Sequence, residues 1–324
     1  VQRGKRVETH HQSSKAGRAH VTLLNSGVWV LPVTFDSRRT ECYMSTRKGG
    51  TAMNICLVHI TEMPEGFHDV WFSMVEHSFK KVLRPDTKVT LKPIKRGLKG
   101  DNVLDFDNPY FALMDKREII EAFIEADKEG FDAGAVHCFG DPGIKEARSV
   151  VGMPIFGPAE CAMHLACLLG RRFAIIGTNM AGQRAQIEEQ VREQCLEGRL
   201  IPNGVRFDKE PFVTAFGKWM GNPQLAADSV AEVARECVAD GADVIVIGCA
   251  GTSLFCSMVG FNQITINGQV VPIIDSVMAA VKTAEMAVDI KKGIGLPMPS
   301  RTRNYVLPTK EDWARVRANF GLPA

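Results

Sequence analysis

Ala133-Gly-Ala-Val-His-Cys138-Phe-Gly-Asp-Pro-Gly143 and Ala242-Asp-Val-Ile-Val-Ile-Gly-Cys249-Ala-Gly-Thr252 are the two segments that decide how this chain folds. Each begins as a short apolar run of the kind that forms a buried strand. Each then reaches a cysteine, a glycine-containing turn and the start of a helix. Parallel sheets bind ligands at the carboxyl ends of their strands. Two such units, with cysteines 111 residues apart, predict two similar half-domains that each present one thiol to a shared cleft.

The flanking pattern agrees. Asn54–His59 reads as a first buried strand, and Glu65–Leu83 carries an apolar stripe at helical spacing. Lys88–Ile94 alternates as a second strand, Lys95–Tyr110 is a polar loop, and Lys116–Glu129 is an amphipathic helix before the first cysteine strand. Downstream, Pro154–Gly157, Arg172–Thr178 and Val270–Ile274 read as strands. Ala159–Leu169, Ala181–Leu196, Gln224–Ala239 and Val277–Ile290 read as helices, and Lys209–Asn222 as a lining or lid loop bearing Phe212, Phe216 and Trp219. Strands alternating with helices predict an α/β fold built on parallel sheets. A tail over Pro297–Ala324 carries one short helix, Lys310–Asn319, packed on the surface or on a neighbouring subunit.

The 324 residues suffice for two cores. A net charge of +2 gives no electrostatic case for nucleic acid, and no apolar run approaches the length of a membrane span. Residues 1–52 are basic, with nine Lys/Arg against three Asp/Glu, and lack both a clean apolar signal region and an A-x-A cleavage site. They are expected to be a non-native or disordered leader, with the fold beginning at Met53. Nine cysteines without a CxxC pair argue against a disulfide framework or a structural zinc site and suit the cytoplasm.

A thiol between a strand end and a helix start sits near unpaired N–H groups and the positive end of the helix dipole, both of which favour thiolate. Asp141-Pro142 has the form of a helix cap followed by a first helical proline, and Thr252 and Ser253 offer capping chemistry after Cys249. Two facing thiols make a two-base device: one removes a proton beside a carbonyl, the other returns one on the opposite face. No metal or organic cofactor is called for. Cys56, Cys161, Cys167, Cys195, Cys237 and Cys256 read as small core hydrophobes.

At these residues the chain resembles the aspartate/glutamate/hydantoin racemase superfamily, and within it the hydantoin racemase family that includes allantoin racemases. The resemblance rests on Cys138-Phe-Gly-Asp-Pro-Gly143, Gly157-Pro-Ala-Glu-Cys-Ala-Met-His164 followed by Leu169-Gly-Arg-Arg-Phe173, Gly241-Ala-Asp-Val-Ile-Val-Ile-Gly-Cys-Ala-Gly251, and Val271-Pro-Ile-Ile-Asp-Ser-Val277. It implies two pseudo-symmetric domains with the active site between them and a homo-oligomeric assembly acting on a small molecule. Cys138 and Cys249 match the acid/base pair, while Phe139, Gly140, Gly251 and Thr252 match substrate-cradling backbone. It also implies a first half-domain (53–158) completed by a C-terminal strand and helix (269–292), a second half-domain (159–268), and a tail (293–324).

One turn departs from the family pattern. Where relatives carry Asn-Pro-Asn-Thr, this chain reads His59-Ile-Thr-Glu62, which puts His59 and Thr61 at the substrate's polar edge. Strand alternation turns His137 away from Cys138, and His164 reads as a satisfied core or interface histidine. The expected reaction is racemisation of a 5-substituted hydantoin, allantoin or a related cyclic amide. Maleate-type cis–trans isomerisation and aspartate or glutamate racemisation on the same scaffold stay open, as does a non-catalytic binding module. Arylmalonate-type decarboxylation is disfavoured, because those relatives keep only one of the two cysteines.

Overall fold

The computed structural model describes residues 52–62, 66–99, 105–106 and 108–323. The leader over 1–51 and parts of the 95–110 loop lie outside the described residues. The first half runs β1 (Met53–His59), α1 (Phe67–Phe79), β2 (Thr87–Pro93), α2 (Pro109–Glu129), β3 (Ala133–Val136), α3 (Ile144–Arg148) and β4 (Ile155–Phe156). Its four strands are parallel, in the order β2-β1-β3-β4. Helix α2 begins seven residues before the point expected from the sequence. Pro109 fills the first position, where no N–H is needed, and the Asn108 side chain accepts from the N–H groups of Tyr110 and Phe111.

The second half comprises α4 (Pro158–Leu169), β5 (Phe173–Asn179), α5 (Gln183–Glu193), β6 (Leu200–Pro211), α6 (Phe212–Gly221), α7 (Gln224–Ala239), β7 (Val244–Ile247), α8 (Ala250–Met258), β8 (Gln263–Ile266) and β9 (Gln269–Asp275). Its sheet order is β6-β5-β7-β9-β8, parallel except for the β8–β9 hairpin. The stretch Lys209–Asn222, expected as a loop, is the end of β6 and the helix α6.

The expected division at 269–292 requires correction. Strand β9 pairs with β7 in the second sheet, through Ile245↔Ile273 to Ile247↔Asp275. The local cause is the hairpin turn Asn267-Gly268, whose two residues both have positive φ (51° and 77°). That is the conformation of a two-residue hairpin loop, and it seats β9 beside β8. Only the following helix, α9 (Ser276–Ile294), crosses back to pack on β1, β3 and β4 as well as on α4. Its buried Glu285 accepts from the Arg84 N–H (3.0 Å) and the Thr87 hydroxyl (2.5 Å) at the entrance to β2. One hydrophobic core runs through both halves, from Ile55 and Trp71 to Phe255 and Val288, with a smaller one on the α2 face of the first sheet.

The tail packs on its own chain. Arg301 donates to the carbonyls of Arg148, Val151 and Gly152. On α10 (Lys310–Asn319), the nearly buried Arg317 grips both oxygens of Glu121 on α2, at 2.8 and 2.9 Å, and lies over the Trp313 ring. Breaking a buried, bidentate pair leaves a charge unpaired. Arg317→Ala is therefore expected to lower stability by about 3 kcal/mol, seen as a lower urea midpoint at unchanged slope.

Candidate active site

Parallel pairing brings the carboxyl ends of neighbouring strands to one edge. Cys138 lies two residues beyond β3 and Cys249 two residues beyond β7. Charge on Cys249 disfavours charge on Cys138. The Gly140 N–H points at the Cys138 sulfur (3.4 Å), and the N–H groups of Gly251 and Thr252 act on Cys249, the residue that caps α8. A side chain at either glycine would press on a neighbour. A Cβ at Gly140 would lie 2.7 Å from the Gln186 amide nitrogen, and one at Gly251 would lie 3.2 Å from the Phe216 ring.

These donors do not make thiolates of the two cysteines. Burial outweighs them, pushing Cys138 up to about 12 and raising Cys249 as well. The lowering expected of helix-start donors is outweighed by burial at both thiols. For Cys138 the local geometry differs too. Asp141 (φ 47°) does not cap α3, which is preceded by Gly143. Its carboxylate instead accepts from the Ala159 and Glu160 N–H groups, both at 3.0 Å, at the start of α4. The Cys138 loop is thereby tied to the second half. Gln190 of α5 adds a second tie by donating to the Phe139 carbonyl (2.8 Å), while the Phe139 ring is buried in the core.

His59 ends β1 beside His137, because Val58 pairs with Val136 and the next residues fall in step. The two rings are 5.2 Å apart, and the N–H and hydroxyl of Thr61 both meet His59 Nδ1 (3.2 and 3.0 Å). Burial pushes His59 down to about 4 and His137 well below its ordinary value. His164 is exposed on α4 and bonded to Gln194 (3.1 Å), so it belongs to neither core nor site. Among the described residues, no group of three or more His, Cys, Asp or Glu side chains is placed to hold a metal ion.

Trp71 of α1, which the helical stripe marks only as core, packs there 6.0 Å from the His137 ring and 5.9 Å from Phe216, the ring nearest Gly251. Asp115 and Asp208 are two buried carboxyls pushed up to about 6 by burial, whose charges act on Cys138 and Cys249 respectively. Both sit at isolated sequence positions without a motif.

Two parallel-sheet halves, each with a thiol just beyond its strand ends, define an α/β scaffold with its candidate site at that edge. The sequence model of the family described as Asp/Glu/Hydantoin racemase matches residues 105–284, more than half of the chain. The chain belongs to that family. It is 29% identical to a hydantoin racemase of Pseudomonas sp. (strain NS671) over 253 residues, 76% of this chain and 90% of that one. It is 31% identical to a hydantoin racemase of Paenarthrobacter aurescens over 201 residues, 60% of this chain and 76% of the relative. In structure it is similar to the allantoin racemase from Klebsiella pneumoniae (TM-score 0.62, 22% identity), across 80% of this chain and 94% of that one. The likeness in structure confirms the fold.

His59 sets a pH dependence of stability. Its folded value lies below the ordinary 6.5, so between pH 6.5 and about 4 the unfolded chain binds a proton that the folded one refuses. This contribution is complete above the ordinary value and is lost as pH falls. Asp115 and Asp208, held above the usual carboxylate range, act in the opposite sense over overlapping pH. The stability difference between wild type and His59→Gln is therefore expected to shift against wild type by about 3 kcal/mol from pH 7 to 4, measured by urea unfolding across that range.

Proposed function

We propose that this chain is a cofactor-independent racemase of a carbon acid of the 5-substituted hydantoin or allantoin type, with Cys138 and Cys249 as its acid/base pair. The observation that carries the reading is the pair itself: two half-buried thiols beyond the strand ends of the two sheets, each beside backbone donors, with charge on Cys249 disfavouring charge on Cys138. Racemisation needs one thiolate and one thiol. Mutual repulsion at close range penalises the doubly ionised state, so a pair that loses one proton holds the second. The thiolate removes the proton from the stereocentre, electrons move into the adjacent carbonyl, and the opposite thiol protonates the other face. The reverse reaction exchanges the roles.

A thiol held high is a strong base once ionised, which suits a weakly acidic C–H. Backbone N–H groups at Gly140, Gly251 and Thr252 are the donors for the developing enolate oxygen, an interaction of about 3 kcal/mol per donor in such sites. The two neighbouring histidines are held neutral, which favours an uncharged cyclic amide over a dicarboxylate. The altered His59–Thr61 turn keeps maleate-type isomerisation as the second reading. The family resemblance further suggests a homo-oligomer.

Single-enantiomer 5-substituted hydantoins and allantoin, followed by polarimetry in deuterium oxide without added cofactor, test this. Decay of rotation with deuterium entering at the stereocentre is expected. Cys138→Ala and Cys249→Ala are each expected to lower the rate by at least about a thousandfold, and the serine variants by a similar amount, because an alcohol is scarcely ionised near neutrality. Near-full turnover in either alanine variant would remove that cysteine from the mechanism.

A further inference from the structure

The two thiol turns are built alike. Each runs from the cysteine through one residue to a glycine and then a polar side chain: Cys138-Phe-Gly140-Asp141 and Cys249-Ala-Gly251-Thr252. In each, the bare face of the glycine looks toward the sulfur. A Cβ at Gly140 would lie 3.5 Å from Cys138 Sγ, and one at Gly251 would lie 3.9 Å from Cys249 Sγ. The fourth position breaks the likeness. The N–H and the hydroxyl of Thr252 both favour the Cys249 thiolate. At Asp141 both carboxyl oxygens instead accept from the Ala159 and Glu160 N–H groups of α4, at 3.0 Å. The Cys138 turn therefore has no counterpart to the Thr252 hydroxyl.

A donor reaches that turn from the other half of the molecule. On α5, Gln183, Gln186 and Gln190 follow at spacings of three and four residues and share one face of the helix. The outer two are engaged by the protein. Gln183 donates to the Thr178 hydroxyl (3.0 Å) at the end of β5, and Gln190 to the Phe139 carbonyl (2.8 Å). Between them, the Gln186 side chain is exposed and has no hydrogen-bond partner among the described residues. Its amide is nonetheless aimed. The point that a Gly140 Cβ would occupy lies 2.7 Å from Gln186 Nε2 and 3.5 Å from Cys138 Sγ, and the amide carbon is further off at 3.6 Å. At Gly251 the corresponding neighbour is the Phe216 ring, at 3.2 Å, which has no N–H to offer.

We propose that Gln186 is a further catalytic residue, whose amide N–H donates to the substrate oxygen on which the enolate charge develops when the reacting carbon is held at Cys138. A carbon seated at the sulfur carries its carbonyl oxygen two bonds further on, within reach of an amide on the far side of the same point. The Gly140 N–H meets the sulfur from one side and the Gln186 N–H meets the oxygen from the other. No proton leaves the amide; its hydrogen bond strengthens as the electron pair of the broken C–H bond moves onto oxygen, and weakens again on reprotonation. With no protein partner to give up, the side chain exchanges only water for substrate. This inference rests on the racemase reading and adds a residue to its machinery.

Deuterium exchange into single-enantiomer 5-substituted hydantoins and allantoin, expressed per folded molecule, tests this with Gln186→Met and Gln186→Glu. The methionine keeps the length and loses the donor. It is expected to lower kcat by about tenfold to a hundredfold and to move KM by less than about threefold, because the bond tightens mainly as charge develops. Glutamate is the closer match in shape, yet its carboxylate repels a developing oxyanion, so Gln186→Glu is expected to be slower than Gln186→Met. A packing role predicts the reverse order. Variants within about twofold of wild type, a loss confined to KM, or a glutamate variant faster than the methionine one would overturn the assignment and leave the racemase reading standing. No exchange by wild type on any of these substrates would remove the racemase reading and this inference together.

Discussion

Parallel pairing in register is the constraint on which the site depends. Val58 opposite Val136 fixes His59 beside His137 and leaves Cys138 one step further along. Ile176 opposite Ile247 fixes Gly248 against β5, where its N–H bonds to the Ile176 carbonyl (2.7 Å), and delivers Cys249 at the first position before α8. A one-residue slip in either pairing would turn the cysteine and its neighbours to opposite faces. The two halves are then held together from both sides: Asp141 reaches across to α4, Gln190 donates to the Phe139 carbonyl, and α9 packs on β1 and β3.

Desolvation governs the chemistry. The thiols are raised, the histidines lowered, and Asp115 and Asp208 raised, and in every case burial is the leading cause. All six groups are pushed toward their uncharged forms. A site of this kind stabilises no fixed charge of its own. Its hydrogen-bond donors act at full strength on charge that develops during reaction, because little water competes with them.

Much of the architecture was legible in local pattern. The strand–cysteine–glycine units, the helices Gln224–Ala239 and Lys310–Asn319, and the strands around them follow from apolar periodicity, which burial on one face imposes directly. The hairpin β8–β9 was legible in principle, since Asn267-Gly268 is the expected turn chemistry between two short alternating runs. Helix α6 hid because its aromatic residues serve both a core and a cleft, so its pattern reads as a lining loop. The allegiance of β9 was not legible, because an apolar strand carries no label for the sheet it joins. Its hairpin partner and its pairing with β7 decide that.

The sequence by itself determined the alternation of strands and helices, the two thiols at matching places in that alternation, and a family resemblance strong enough to name the scaffold. These are local properties, set by spacing and residue type. Tertiary structure alone decided that burial overrides the helix-start donors at both thiols, that Asp141 caps a distant helix, and that Trp71 packs between His137 and Phe216. Those outcomes depend on which atoms surround a group once the chain has closed, and residues far apart along the chain supply them.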